Sequence, residues 1–577
     1  MKTINRDYPY YDVEPISTLG EMLTRSVEKY PNKLALEDLN PTPIPRVTYR
    51  ELYDHVLAFG AALRRLGLKE RDHVAFIGEN RVQWGITHLA CVTSNMVAVP
   101  IDKNLKENDI VNILHVSDAK AAVFSEPFRD MFIEFKHSVK SIKYLIDMDL
   151  PVKQDGVHSM IELMNKARRE ERHPRFAVTD PNNVAVIVFT SGSMGHAKGV
   201  MMSQRNLCTN LMDMRRMIYL GPEDRFLSVL PMHHTYEGTC GFLCPLYAGA
   251  SVHYARSLKT VLEDMQRARP TIFLGVPLMY DKMYRRIMVA IEERKLTKAL
   301  VPPLKTIAGW LETFGAEGLR KKIFAEIHQT FGGAIRLFIA GGAAPDPQVM
   351  KGMRSFGFTI LQGYGLTETS PILTVNREFN FKDEAAGLPL PSVEIKIANP
   401  DVHGHGEIIA RGPSIMLGYY KNEAATREVL RDGWFYTGDI GYFDRDGFLH
   451  INGRKKNVIV ARNGENVYPE ELEEKVNKIP FVLESVIYGA KDEKNDEEIR
   501  VMVVPNAEAF IEYAQKHNVE VTTELIEKII VEEIRKLNTQ LLGHQQIKKV
   551  RIREKEFEKT TTQKIKRYLI KQEDSTR

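Results

Sequence analysis

The sequence predicts an α/β protein, and three observations carry the prediction. Short runs rich in β-branched and aromatic residues, at His73–Ile77, Asn183–Phe189, Arg336–Ala340 and Phe358–Leu361, have the texture of strands buried on both faces of a parallel sheet. Helical patterns separate them, as crossover connections require. The chain is 577 residues long, which at roughly 100–200 residues per domain leaves room for several buried cores.

The elements follow in chain order. Leu52, Val56, Phe59, Leu63 and Leu66 recur at three- and four-residue spacing, with Arg64 and Arg65 in the last turn and Gly67 at the stop, so 48–67 reads as an amphipathic helix. The stretch 281–332 is rich in helix formers with several Lys and Arg, a pattern of solvated helices around the core. Between about 385 and 452 the texture changes to short alternating strands with Gly and Pro punctuation, at Val393–Ile397, Gly406–Arg411 and Gly447–Ile451, which predicts a small β-rich subdomain. Beyond 456 the pattern is mixed: a helix at Glu470–Ile479, strands at Val482–Tyr488 and Ile499–Val504, a helix near 523–537, then a basic end. The expected division is a large domain at 1–455 and a small carboxy-terminal domain at 456–577.

Composition excludes several classes. With 43% apolar and 27% charged residues the chain is an ordinary globular protein, and 79 Lys plus Arg against 75 Asp plus Glu leave only +4, too balanced for a dedicated nucleic-acid binder. Cys91, Cys208, Cys240 and Cys244 are too few and too scattered for a disulfide framework, so buried free thiols in a reducing cytoplasm are expected. A metal held by Cys240 and Cys244 with His233 and His234 is the weaker reading. The amino terminus lacks the apolar core of a signal peptide, and no window approaches 18 uninterrupted apolar residues. Neither secretion by that route nor a transmembrane segment is expected, while peripheral membrane association stays open.

Chemistry concentrates first in Val188-Phe-Thr-Ser-Gly-Ser-Met-Gly-His-Ala-Lys-Gly-Val200, a strand running into a loop of glycines, hydroxyls and one lysine. Such a loop offers backbone N–H groups and hydroxyls to phosphate oxygens, and Lys198 adds a mobile positive charge. It is not a Walker A loop, since no Gly-Lys-Ser/Thr ends it. Taken alone it could be a flexible Gly/Ser turn. Four further segments remove that reading: Gln362-Gly-Tyr-Gly-Leu-Thr-Glu-Thr369, Gly433-Trp-Phe-Tyr-Thr-Gly-Asp439, Gly453-Arg-Lys-Lys456 and Thr560-Thr-Thr-Gln-Lys-Ile-Lys-Arg567.

In this order and at these separations the five segments resemble the adenylate-forming superfamily of acyl-CoA synthetases, luciferases and peptide-synthetase adenylation domains. The likeness spans essentially the whole chain, including Thr48–Asn80 and Gly464-Glu-Asn-Val-Tyr-Pro-Glu-Glu-Leu-Glu473. It implies an amino-terminal domain of two α/β subdomains plus the β-rich one, and a mobile α+β carboxy-terminal domain. It also implies that Thr190, Ser191, Gly192, Ser193, Gly195 and Lys198 hold the β- and γ-phosphates of ATP, although Met194 and Ala197 replace the usual small hydroxyl and proline. Gly341-Gly-Ala343 (Gly341, Gly342 and Ala343) would line the adenine pocket with Tyr364 stacking on the base. Thr367 would touch the α-phosphate and Glu368 would hold Mg²⁺, for which one carboxylate plus phosphate oxygens suffices.

By the same resemblance Asp439 accepts the ribose hydroxyls, Arg454 also reaches the nucleotide, Lys456 is the hinge, and Lys564, preceded here by Gln563 rather than glycine, serves the adenylation step. Pro231-Met-His-His-Thr-Tyr-Glu237 matches the segment at which the acyl carboxylate sits, with His234 and Tyr236 as contacts and Gly275 lining the substrate site. The segment Phe273-Leu-Gly-Val-Pro-Leu-Met-Tyr-Asp-Lys-Met283 and the helical stretch after it look most like long-chain fatty acyl-CoA ligases.

The implied activity converts a medium- to long-chain fatty acid and ATP to acyl-AMP, then to acyl-CoA with coenzyme A. The small domain would swing about Lys456 between the steps. The alternative acceptor is the phosphopantetheine thiol of an acyl carrier protein, since Lys548 to Lys571 carries ten basic and three acidic residues, a run that suits CoA phosphates, an acidic carrier, or simply a solvated face. A non-catalytic protein that binds nucleotide or acyl ligand is the remaining reading. Intact Lys564, Glu368 and Asp439 oppose it.

Overall fold

The predicted helix forms as Tyr49–Arg65, and its start has a local cause. The Thr48 hydroxyl accepts the Glu51 N–H at 3.3 Å while the Glu51 carboxylate accepts the Thr48 N–H at 2.7 Å, a reciprocal cap that satisfies two donors left open at a helix start. The computed structural model describes residues 4–5, 7–136, 138–170, 175–190, 197–292, 301, 303–306, 318–461, 465–491, 497–559, 565–567 and 569–570. They group into two compact units. The first comprises Met1–Ile395, Ala410–Phe435 and Arg445–Leu449, and the second Lys396–Ile409, Tyr436–Asp444 and His450–Arg577.

Two large sheets organise the first unit. Among the described residues one has nine strands, in the order Leu388–Pro389, Ile372–Val375, Thr359–Gly365, Leu337–Ala340, Ile272–Gly275, Arg225–Ser228, Ser251–Tyr254, Leu34–Asp38 and Arg46–Thr48. The other has eight, in the order Gly418–Tyr419, Lys198–Ser203, Val184–Thr190, Val97–Pro100, His73–Ile77, Ala121–Phe124, Tyr144–Asp147 and His158–Ser159. Interior strands pair in parallel, and antiparallel pairs stand toward the edges. The four predicted strands all form. One runs four residues past its predicted end: Thr359–Gly365 continues through Gln362-Gly-Tyr-Gly because Tyr364 pairs antiparallel with Thr374, a partner no local pattern could announce.

The stretch expected to be β-rich forms the strands Glu394–Ala398, Gly406–Arg411, Leu430–Arg431, Trp434–Phe443 and Leu449–Arg454. In the second unit, Val482–Lys491, Glu497–Pro505 and Lys549–Ile552 make a three-stranded sheet. Helices Pro469–Val476, Ala507–His517 and Thr523–Asn538 accompany it, and Leu472, Ile487, Val501, Phe510 and Ile530 form its apolar core. Cys91, Cys208 and Cys244 are buried free thiols and Cys240 is a half-buried one. Among the described residues no helix is long and apolar enough to cross a membrane.

One core residue breaks the apolar pattern. His88, on the helix Val82–Thr93, stacks on Trp84 at 5.5 Å and meets the ring edges of Phe76 and Phe242 at 6.1 and 6.0 Å. Neither ring nitrogen has a hydrogen-bond partner among the described residues. Burial pushes the imidazole down to about 4 from 6.5, so between these values the unfolded chain binds the proton that the folded chain refuses. Stability is full above about pH 6.5 and falls as pH drops toward 4, by up to about 3 kcal/mol from this group. Urea unfolding at about pH 7 and about pH 5 should therefore show a smaller acid loss in His88→Leu than in the parent. An equal loss in both would remove His88 as a cause.

Candidate active site

The phosphate-loop candidate is framed by a β-hairpin whose ladder runs Val188↔Val200, Phe189↔Gly199 and Thr190↔Lys198. Thr190 and Lys198 thus stand opposite each other at the loop's two ends, with the Thr190 hydroxyl donating to the Lys198 carbonyl at 3.4 Å. Ser191, Gly192, Ser193 and Gly195 lie outside the described residues.

Beyond the loop, the short strand Gly418–Tyr419 adds antiparallel to Lys198–Ser203, and the Tyr420 N–H donates to the Gly199 carbonyl at 2.7 Å. This pairing carries Tyr419 beneath the lysine: Lys198 Nζ sits 5.0 Å from the ring centroid. The hydroxyl of the same ring donates to Glu368 Oε1 at 2.8 Å, and the Met416 N–H donates to the Glu368 carbonyl at 2.8 Å. One aromatic side chain therefore ties Lys198 to Glu368, by a cation–π contact on its face and a charge-assisted hydrogen bond at its tip. Glu368 lies in the tight turn Thr367–Thr369 directly after the strand that bears Tyr364, and Tyr364, Thr367 and Glu368 are all half-buried. Sequence reasoning missed Tyr419. Its only signal is an aromatic pair after Gly418, which by itself marks no chemistry.

A second cluster joins the segments predicted for base and acid. Gly341 follows the strand Leu337–Ala340, and its N–H donates to the Gly275 carbonyl at 3.2 Å. A Cβ on Gly341 would fall 2.7 Å from the Tyr236 ring, so only glycine fits there. Gly342 takes a positive φ of 86°, which turns the chain outward and leaves Gly342 and Ala343 exposed. Tyr236 opens a π-helical turn, Tyr236–Leu243, and its hydroxyl donates to the Ile339 carbonyl at 3.0 Å. Tyr280, also missed, donates to the same carbonyl at 2.7 Å and backs Gly275. His234 is half-buried just before the π-helical turn, against the ring of His233 at 4.1 Å.

In the second unit Asp439 is 5% exposed on the strand Trp434–Phe443. Its Oδ1 accepts from Arg454 Nε at 2.7 Å. The Asp439 N–H donates to the Thr437 hydroxyl at 3.1 Å, and that hydroxyl donates onward to the Ile408 carbonyl at 2.7 Å. The motif thus positions its own carboxylate. Lys456 lies in the turn Lys455–Asn457, where desolvation and the like charges of Arg454 and Arg567 lower its ammonium pKa. Arg567 donates to the Glu473 carboxylate and, at 3.1 Å, to the Ile487 carbonyl, which ties the end of the carboxy-terminal motif to the helix Pro469–Val476. Lys564 lies outside the described residues.

The chain belongs to the AMP-binding enzyme family. The family model matches residues 23–420, and that of the AMP-binding enzyme C-terminal domain matches residues 456–573. Among curated relatives it is 28% identical to a chloroplastic long-chain-fatty-acid–[acyl-carrier-protein] ligase of Arabidopsis thaliana, over 89% of this chain and 79% of the relative. It is 29% identical to the peroxisomal long chain acyl-CoA synthetase 7 of the same plant, over 83% and 72%. A long-chain-fatty-acid–CoA ligase of Mycobacterium bovis is 28% identical over 82% and 79%. The fold matches that of an anthranilate CoA ligase in complex with anthranoyl-AMP, with TM-score 0.76, 20% identity and 99% coverage of both chains. ATP-bound MatB from Rhodopseudomonas palustris matches with TM-score 0.75 and 23% identity, over 96% of this chain and 99% of that one.

Proposed function

We propose that the protein is an AMP-forming acid–thiol ligase that activates medium- to long-chain fatty acids with ATP and transfers the acyl group to coenzyme A. The observation that carries this reading is the Lys198–Tyr419–Glu368 arrangement beside the phosphate-loop hairpin, with Tyr236 and Gly341 packed together between the acyl and adenine segments.

A carboxylate cannot expel oxide, so its oxygen must first become part of a leaving group. A carboxylate oxygen attacks the α-phosphorus, the bond to the β-phosphate bridging oxygen breaks, and pyrophosphate leaves acyl-AMP. The thiol sulfur then attacks the acyl carbon, the bond to the AMP oxygen breaks, and the thiol proton is released. Negative charge gathers on phosphate oxygens in the first step, where Lys198, the loop donors and Lys564 stabilise it. Glu368 would hold Mg²⁺: its carboxylate is an oxygen donor fixed by Tyr419, as that ion prefers, and the ion supplies charge neutralisation. Asp439 and Arg454 serve the ribose, and His234 and Tyr236 the acid. Lys456 as hinge, with domains at 1–455 and 456–577, is part of the same proposal.

Pyrophosphate release with a panel of acids tests it. Fatty acids of medium to long chain should give far higher kcat/KM than acetate, amino acids or aryl acids, and acetate or an amino acid at the top would end the assignment. The same panel with coenzyme A and with a purified acyl carrier protein decides the thiol. The basic run from Lys548 to Lys571 and the likeness to an acyl-carrier-protein ligase support the carrier as the second reading.

Tyr419→Phe keeps the ring under Lys198 but deletes the bond to Glu368. A hydrogen bond to a charged group contributes about 1.5–3 kcal/mol, so acyl-AMP formation should slow by roughly tenfold or more, with a higher Mg²⁺ requirement. A Mg²⁺ dependence identical to the parent's would show that the hydroxyl does not support Glu368.

A further inference from the structure

We propose that Asp102, His233 and His234 form a site for a divalent transition-metal ion of the zinc type, and that the bound ion withdraws His234 from the acyl carboxylate. The second half rests on the reading of His234 as an acyl contact given above. The first half does not.

Two loops of the first unit build the cluster. Asp102 follows the strand Val97–Pro100 of the eight-stranded sheet, and His233 and His234 follow Arg225–Ser228 of the nine-stranded one. The backbone holds them independently of any ion. The Asn104 N–H donates to Asp102 Oδ1 at 2.9 Å, the Met232 N–H donates to Asn80 Oδ1 at 3.2 Å, and the Gly238 N–H donates to the His234 carbonyl at 2.7 Å. Oδ2 of Asp102 is thereby turned toward His233. One ligand atom from each of the three side chains lies within 4.8 Å of the others.

The spacing favours an ion over a simple pair. His233 Nε2 stands 3.4 Å from Asp102 Oδ2, although both side chains are only 8% exposed. A charge-assisted N–H···O bond would close to about 2.7–2.9 Å. Tetrahedral ligands at about 2.0–2.1 Å from zinc are about 3.3–3.4 Å apart along an edge, which is the separation of the His233–Asp102 pair, and the third ligand atom lies within 4.8 Å of both. His233 Nε2 makes no hydrogen bond among the described residues, so a buried imidazole nitrogen is left facing the cluster at a desolvation cost. Coordination would remove that cost. Two imidazoles and one carboxylate suit zinc or cobalt rather than Mg²⁺, which prefers oxygen donors, and they leave a fourth position for water. Half-buried His234 supplies the approach from outside.

The test is a Co²⁺ titration of the full-length protein, read by the intense visible bands of a four-coordinate cobalt site. One equivalent should bind and be displaced by Zn²⁺. His233→Gln and the isosteric Asp102→Asn should each weaken Co²⁺ binding by at least the roughly 10–100-fold known for loss of a supporting contact at metal sites. Unfolding curves should show both variants folded. Zn²⁺ should inhibit fatty-acid-dependent pyrophosphate release competitively with the acid in the parent, and the activity remaining in His233→Gln should be insensitive to it. Absence of the bands in the parent, as a plain His233–Asp102 ion pair would give, overturns the site. So do bands that persist undiminished in both variants. Cobalt bands with the expected losses in a protein that activates no fatty acid would uphold the site and overturn the fatty-acid reading instead.

Discussion

Lys564→Ala should make acyl-AMP at least roughly 10²–10³-fold more slowly than the parent while converting supplied acyl-AMP and coenzyme A to thioester at close to the parental rate. The magnitude is that of losing one preorganised electrostatic group at a developing charge. The asymmetry follows from where charge concentrates. In adenylation the nucleophile is an anion attacking an already anionic phosphate, so a lysine that bridges the two lowers the barrier directly. In thioester formation the acyl carbon is attacked by a thiol, and the resemblance of Thr560-Thr-Thr-Gln-Lys-Ile-Lys-Arg567 to the adenylate-forming motif gives Lys564 no part in that step. Both half-reactions are measured on one purified sample. Equal loss in both would mean a single fixed active site or a misfolded variant, and circular dichroism separates those two.

Asp439→Ala should raise the apparent KM for ATP by tenfold or more. The carboxylate already accepts from Arg454 Nε at 2.7 Å, yet an ionised carboxylate has about four lone-pair positions and can serve an arginine and two ribose hydroxyls together. Each charge-assisted bond contributes about 1.5–3 kcal/mol, so losing those to the ribose alone accounts for the tenfold. The substitution also strips Arg454 of this partner. Asp439→Asn, which keeps the shape and loses the charge, should fall between the two. Unchanged ATP dependence in Asp439→Ala would remove the ribose contact.

What could be read from the residues, and what could not, divides by the range of the interaction. Val184–Thr190, His73–Ile77 and Tyr49–Arg65 were legible because their signal is local: a run of β-branched residues, or apolar positions at helical spacing. Lys198, Glu368 and Asp439 stood out as members of motifs that resemble those of the adenylate-forming superfamily. Tyr419 was not. Its role depends on Gly418–Tyr419 pairing with a strand more than two hundred residues earlier in the chain, and nothing around Tyr419 encodes that partner. Tyr280 was quoted only as part of the segment Phe273–Met283, since its bond to the Ile339 carbonyl joins the helix Pro277–Glu292 to a strand of a sheet that exists only once folded. No local pattern singles out His88, and only the surrounding Trp84, Phe76 and Phe242 make it a buried base.

The contact between Gly341 and Tyr236 limits how this protein can be redesigned. The Tyr236 ring leaves no room for a Cβ at Gly341, so under the proposed function the acid and adenine segments share a partition with no spare thickness. A bulkier residue at Gly341 must displace the ring, and a smaller residue at Tyr236 opens a gap behind the adenine-side turn. On that assignment chain-length preference and nucleotide affinity should shift together along this wall. Selection for a shorter or branched acid through position 236 should then carry a nucleotide penalty, and substitutions that relieve it should be found at 341–343.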